Sequence, residues 1–211
     1  MGWPTTYAGW IERVKKWLDV PDLADDVFGF CLDSANERLN RDLSSQWMEE
    51  TYEYTVTDPM APIDLSSEIP DFNRMRLVTI RGRDPLVVVA LNEYRTEKNN
   101  NTDTTPRIYC VNKMQVLIWP LPAVGDIIDI DYYVKVPALA DDQDDNVFSK
   151  KHPDALLYAS LLEATPYLTE DERLETWATF YTGIRESINV SADKATKGST
   201  PLKREVKAYN T

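Results

Sequence analysis

Asp141, Asp142, Asp144 and Asp145 put four carboxylates into five positions, a density of hard oxygen donors that could hold Ca²⁺ or Mg²⁺. A calcium loop of the EF-hand kind needs glycine at its sixth position and glutamate at its twelfth. Counted from Asp141 those positions are Asn146 and His152, so the loop fails and the run reads as a solvated acidic connector. Asp129 and Asp131 alternate with Ile128, Ile130 and Tyr132, which puts both carboxylates on one strand face, the spacing of an acid–base pair. No nucleophile or oxyanion donor accompanies them in the sequence. His152 is the one histidine, and it directly precedes Pro153, where it reads as a residue at the start of a helix. A single imidazole excludes a multi-His zinc site and leaves little for a Ser–His or Cys–His pair.

The remaining chemistry is equally sparse. Cys31 and Cys110 stand far apart with no C-x-x-C, one on an apolar helix face and one in a strand, as buried thiols of a reduced intracellular protein. Seven glycines spread singly build no phosphate-binding loop and no G-x-S-x-G elbow. The chain therefore reads as a non-enzyme with no cofactor and no metal.

Charge is distributed unevenly. The net charge is −12, yet Asp193–Thr211 carries five cations against two carboxylates, which leaves −15 on residues 1–192. A body that acidic repels the phosphate backbone, so tight duplex binding is not expected. Trp3, Trp10 and Trp17 recur every seven residues and read as anchors of a core or a subunit contact; a base-stacking platform is the other reading. No apolar run is long enough to span a membrane, and MGWPTTYAGW lacks the pattern of a secretory signal.

The elements that must position these residues follow from periodicity. A short helix is expected over Thr6–Asp19, facing Trp10, Val14 and Trp17 inward. A second, capped by Asp22, is expected to run to about Gln46 through Phe28, Leu32, Ala35, Leu39 and Leu43. The period then changes to two. Strands are expected from Thr51, over Arg74–Arg81, over Pro85–Ala90 and over Ile127–Val134, with a short helix at Leu91–Asn99. A hairpin is expected from Arg107–Val111 and Met114–Trp119 about an Asn112–Lys113 turn. Pro153 suits the first position of another helix, carrying Leu157, Leu161, Ala164 and Leu168 and stopped by Pro166. Thr169 and Glu172 form a capping box for a last helix to about Asn189, with Leu174, Trp177, Ala178, Tyr181, Ile184 and Ile188 on one stripe. The fold class is α+β: a helical bundle of N- and C-terminal helices (1–50 and 138–192), an inserted, mainly antiparallel β domain (51–137), and a flexible basic tail (193–211).

One order of residues says more than periodicity can. Asn146, Phe148, Pro153, Asp154, Leu156, Tyr158, Glu163, Ala164, Tyr167, Leu168, Trp177, Phe180 and Tyr181 stand in an order that resembles the head-to-tail adaptor (connector) proteins of tailed bacteriophages. Ala35–Arg41 followed by Trp47-Met48-Glu49 resembles the same family. The resemblance implies a structural virion protein in the neck, made in the bacterial host cytoplasm. It implies a dodecamer, a ring of about twelve copies, under the portal protein and above a tail or neck protein. DNA would pass through its channel without sequence-specific binding. It further implies a C-terminal arm docking on the portal, for which the matching residues are Lys194, Lys197, Leu202, Lys203, Arg204 and Lys207. A basic strand of this kind gains its ordering free energy only on a partner. The alternatives are a soluble ligand- or peptide-binding module, and a neighbouring neck protein such as a stopper or tail-completion protein.

Overall fold

The computed structural model describes residues 2–20, 23–100, 103–140, 145–168 and 172–197. In chain order these form α1 (Tyr7–Leu18), α2 (Asp25–Asp42), a 3₁₀ turn at Gln46–Met48, β1 (Glu49–Thr55), β2 (Ile63–Asp64), α3 (Leu65–Glu68), β3 (Phe72–Ile80) and β4 (Val87–Val88). There follow α4 (Leu91–Asn100), β5 (Ile108–Asn112), β6 (Gln115–Trp119), β7 (Ile127–Val134), α5 (Val147–Lys151), α6 (Pro153–Glu163), a 3₁₀ turn at Thr165–Tyr167 and α7 (Arg173–Lys197). The fold is α+β. Met48–Val136 make one compact unit, and the chain before and after them makes the other.

In the helical unit, Thr6 caps α1 by accepting the Gly9 N–H at 3.1 Å, and Asp19 ends it in the left-handed region at φ 54°. Trp10, Val14 and Leu18 are buried, whereas Trp17 is 40% exposed. The inward stripe thus runs in steps of four, and Trp17 falls at its edge, ring-on-edge against Tyr158 at 6.1 Å. Asp22 lies outside the described residues, and Ala24 holds the N-cap position of α2 with no side-chain bond. That helix stops at Asp42, short of Gln46, because Leu43 turns to an extended conformation (φ −100°, ψ 142°).

Helix α6 is the core of this unit. Ala155, Leu156, Leu157, Ala159, Ser160 and Leu161 are all buried, so nearly its whole circumference is covered, by α2, α7 and α1. Each buried leucine contributes about 1.5–3 kcal/mol. Pro153 takes the first helical position and Pro166 sits in the 3₁₀ turn beyond the end. Before it comes α5, an element the periodicity does not announce. Its signal is a capping box: the Asn146 side chain accepts the Ser149 N–H at 2.9 Å, and Ser149 Oγ accepts the Asn146 N–H at 2.9 Å. Thr169 lies outside the described residues. Helix α7 continues to Lys197, past the expected end near Asn189, so Lys194 belongs to the helix and not to the tail. Trp177, Tyr181 and Ala192 are buried along it, while Ala178 is exposed.

In the β unit, β1, β7 and β3 form an antiparallel sheet in that order. A second sheet runs β2-β6-β5-β4, antiparallel except for the parallel β4–β5 pair. Between them lies a core that includes Val56, Ile63, Val78, Ile80, Val116, Ile118, Ile128 and Ile130. The hairpin turn sits one residue later than expected. Asn112 is still paired to Gln115, and Lys113 (φ 50°) and Met114 (φ 63°) make the turn. Of the expected strand over Pro85–Ala90, Val87 and Val88 pair with β5, while Pro85 bridges to Thr79 and Leu86 gives its N–H to Val78 O, both on β3.

Candidate assembly surfaces

The candidate residues that the structure describes make structural contacts. Asp129 faces out from β7 and accepts from Arg81 at 2.8 Å, and the same guanidinium reaches Glu53 on β1 at 2.5 Å. Asp131 accepts the Thr51 hydroxyl at 2.6 Å, with Arg76 4.0 Å away. These are rungs of an ion network on a sheet face. Asp145 pairs with Lys150 at 2.7 Å, while Asp141, Asp142 and Asp144 lie outside the described residues. Among the described residues no group of three or more His, Cys, Asp or Glu could hold a metal ion.

His152 comes closest to a reactive arrangement. Its Nε2 is 2.8 Å from Ser45 Oγ, which also accepts the Trp47 N–H at 3.3 Å. A cavity of about 220 Å³ lies alongside, lined by Ser45, Trp47, His152, Ser187 and Ser191. Burial holds the imidazole pKa below its ordinary value, against the opposing pull of Asp154, so the ring is neutral near pH 7. A triad needs a third group to orient the base, and among the described residues no carboxylate bonds the other ring nitrogen. The pair closes the α5–α6 junction onto the segment after α2. Burial, with the Glu163 carboxylate adding to it, pushes the Cys31 thiol up to about 11, and burial raises Cys110 as well. Both side chains are buried and are held as neutral thiols near pH 7.

A polar seam ties the helices. Arg38 pairs with Glu163 at 2.5 Å and lies over the Tyr181 ring, whose hydroxyl donates to Asp42 at 2.7 Å. Arg173 donates to the Trp17 and Leu18 carbonyls at 3.1 and 2.9 Å, capping the end of α1 from α7. Asn146 extends its amide to Asn36 Oδ1 at 3.0 Å and to the Pro137 carbonyl at 2.8 Å.

What the helical unit leaves outside is aromatic. Phe30 (57%), Trp47 (52%) and Phe180 (51%) are exposed, as are Trp3 and Trp17. Trp3 stacks on buried Trp10 at 6.0 Å and carries the Arg13 guanidinium 5.7 Å from its ring. Trp17, Tyr158 and Phe180 form one continuous cluster across α1, α6 and α7. Lys151 stands 4.0 Å over Trp47. These exposed rings are the candidate contact surfaces of the helical unit. The seven-residue spacing signals Trp3 and Trp17, but not Trp47, Phe30 or Phe180, whose outward direction depends on which neighbours cover each element.

Of the residues expected in a docking arm, Lys194 is exposed on the penultimate turns of α7, and Lys197 is the last residue of that helix. Leu202, Lys203, Arg204 and Lys207 lie outside the described residues. Among the described residues no helix is long and apolar enough to cross a membrane. The profile of the family described as SU10 adaptor protein matches residues 5–204, nearly the whole chain. No curated protein gives a significant match.

Proposed function

Because the chain belongs to the SU10 adaptor protein family of phage head-to-tail adaptors, we propose that it assembles as a ring under the portal, joins the capsid to the tail, and leaves a channel open for DNA. The observation that carries this reading is the family match over residues 5–204, which takes in both helical ends, the β unit and most of the basic C-terminus. The exposed rings of the helical unit support it, since a subunit in a ring needs apolar patches on two flanks. The ring holds about twelve copies. An acidic body suits the channel, because like charge shortens the residence of DNA on its wall. The protein works by shape and docking and catalyses no reaction, and its place is the virion neck.

The C-terminal arm is the portal-docking element, through Lys194, Lys197, Leu202, Lys203, Arg204 and Lys207. Since α7 reaches Lys197, the clean test is a chain ending there, which removes residues 198–211 and leaves the helix whole. Binding to purified portal, followed by sedimentation and electron microscopy, is expected to fall at least about tenfold. Unchanged binding would remove Leu202, Lys203, Arg204 and Lys207 from the docking role. A full-length chain that forms no ring with portal would remove the adaptor reading itself.

A further inference from the structure

Two unlike surfaces lie on different flanks of the helical unit. On α2, Asp26, Phe30, Asp33 and Glu37 follow at spacings of four, three and four and are all exposed, with Phe30 the ring in the middle of three carboxylates. On α1, an open groove of about 650 Å³ runs beside Trp3 and Pro4, lined by Arg13 and Lys16 together with Glu12 and Asp19, with Lys15 at its edge toward α2.

The contacts of α1 set the direction of the groove. Its Tyr7 and Lys15 side faces α2: the Tyr7 hydroxyl closes over Gly29, and Lys15 lies 5.9 Å from the Phe28 ring. Trp17 meets Tyr158 of α6. At about 100° per residue, Arg13 and Lys16 fall on the side turned away from Tyr7 and Lys15, and therefore away from α2. A chain cannot fold its own Phe30 stripe into its own groove. A second copy can reach it.

We propose that the α1 groove of one copy receives the Phe30 face of α2 from the next, with Arg13 and Lys16 opposite Asp26 and Asp33. Charge complementarity picks the occupant: an acid-flanked ring on one side, and on the other an apolar groove that carries Arg13, Lys16 and an exposed indole. The two halves differ, so the contact is heterologous, and repeated round an axis it closes into a ring and not a two-fold dimer. The proposal rests on the ring reading above and names the surfaces that build it.

The test uses two full-length variants, Arg13→Glu/Lys16→Glu and Asp26→Lys/Asp33→Lys, studied by analytical ultracentrifugation alone and beside portal. Each is expected to self-associate at least about tenfold more weakly than the wild type, since its own two faces now carry like charge. Mixed in equal amounts they are expected to associate again, because reversed groove meets reversed stripe and native meets native. Recovery on mixing also shows that both variants are folded. Phe30→Ser, which changes no charge, is expected to weaken association on its own. If the variants associate as the wild type does, or the mixture stays apart, the contact is wrong and the ring survives. If the wild type stays monomeric even beside portal, ring and contact fall together.

Discussion

The Asn189 amide closes the end of α2 at Asp42: Nδ2 donates to the Asp42 carbonyl at 2.9 Å, and Oδ1 accepts the Ser44 N–H at 2.8 Å. A helix terminus leaves carbonyls without intrahelical partners, and here a side chain from α7 supplies the missing donor from 147 residues along the chain. The same bond explains why α2 stops at Asp42 although the apolar spacing continues through Leu43.

Asn189→Ala removes both bonds, the one to the part-buried Asp42 carbonyl and the one from the Ser44 N–H. The expected cost is about 1–2 kcal/mol. Urea unfolding should show a lower midpoint with an unchanged m value. Asn189→Asp keeps the acceptor and loses the donor, so its loss should be intermediate or greater. An Asn189→Ala chain as stable as the wild type would mean that water serves the terminus equally well.

Much of this architecture was legible in the residues, and the exceptions share a cause. Strand β7 falls on Ile127–Val134 as alternation requires, and Pro153 begins α6 as its fixed φ requires, because both signals are local. The end of α2 depends on Asn189, and the place of Trp17 depends on Tyr158, partners distant in sequence. Helix α5 was missed because five residues are too few to show a period, although Asn146 and Ser149 carry a capping signal. Among candidate residues, His152 at the start of a helix and the outward-facing Asp129 and Asp131 followed from neighbours in sequence. The exposed Phe30 and Phe180 did not, because an apolar residue on a helix says nothing about which side goes uncovered.

The β5–β6 turn is open to improvement. Lys113 and Met114 both hold positive φ, at 50° and 63°, where a side chain crowds the backbone. Lys113→Asn/Met114→Gly supplies the pair this primed turn favours. The Met114 carbonyl, which accepts the Leu65 N–H at 2.8 Å, is retained in the variant. A gain of about 1 kcal/mol is expected, read as a higher melting temperature with an unaltered circular dichroism spectrum. Loss of stability would show that Met114, 39% exposed, packs more than its exposure suggests.

His152 gives the helical unit a pH dependence of known sign. Burial lowers its pKa beneath the ordinary 6.5, with Lys151 acting the same way and Asp154 against them. Below 6.5 the unfolded chain binds a proton that the folded chain refuses, so stability is full above that value and declines as pH falls toward the folded pKa. Protonation makes both ring nitrogens donors, so Nε2 can then only donate to a Ser45 oxygen that already receives the Trp47 N–H. His152→Gln keeps a group able to bond Ser45 and has no proton to gain. Denaturant melts between pH 7 and 5 should therefore fall for the wild type and run flatter for His152→Gln, with the two curves converging toward the acid end. Parallel curves across that range would assign the decline to carboxylates elsewhere and leave His152 a passive member of the helix junction.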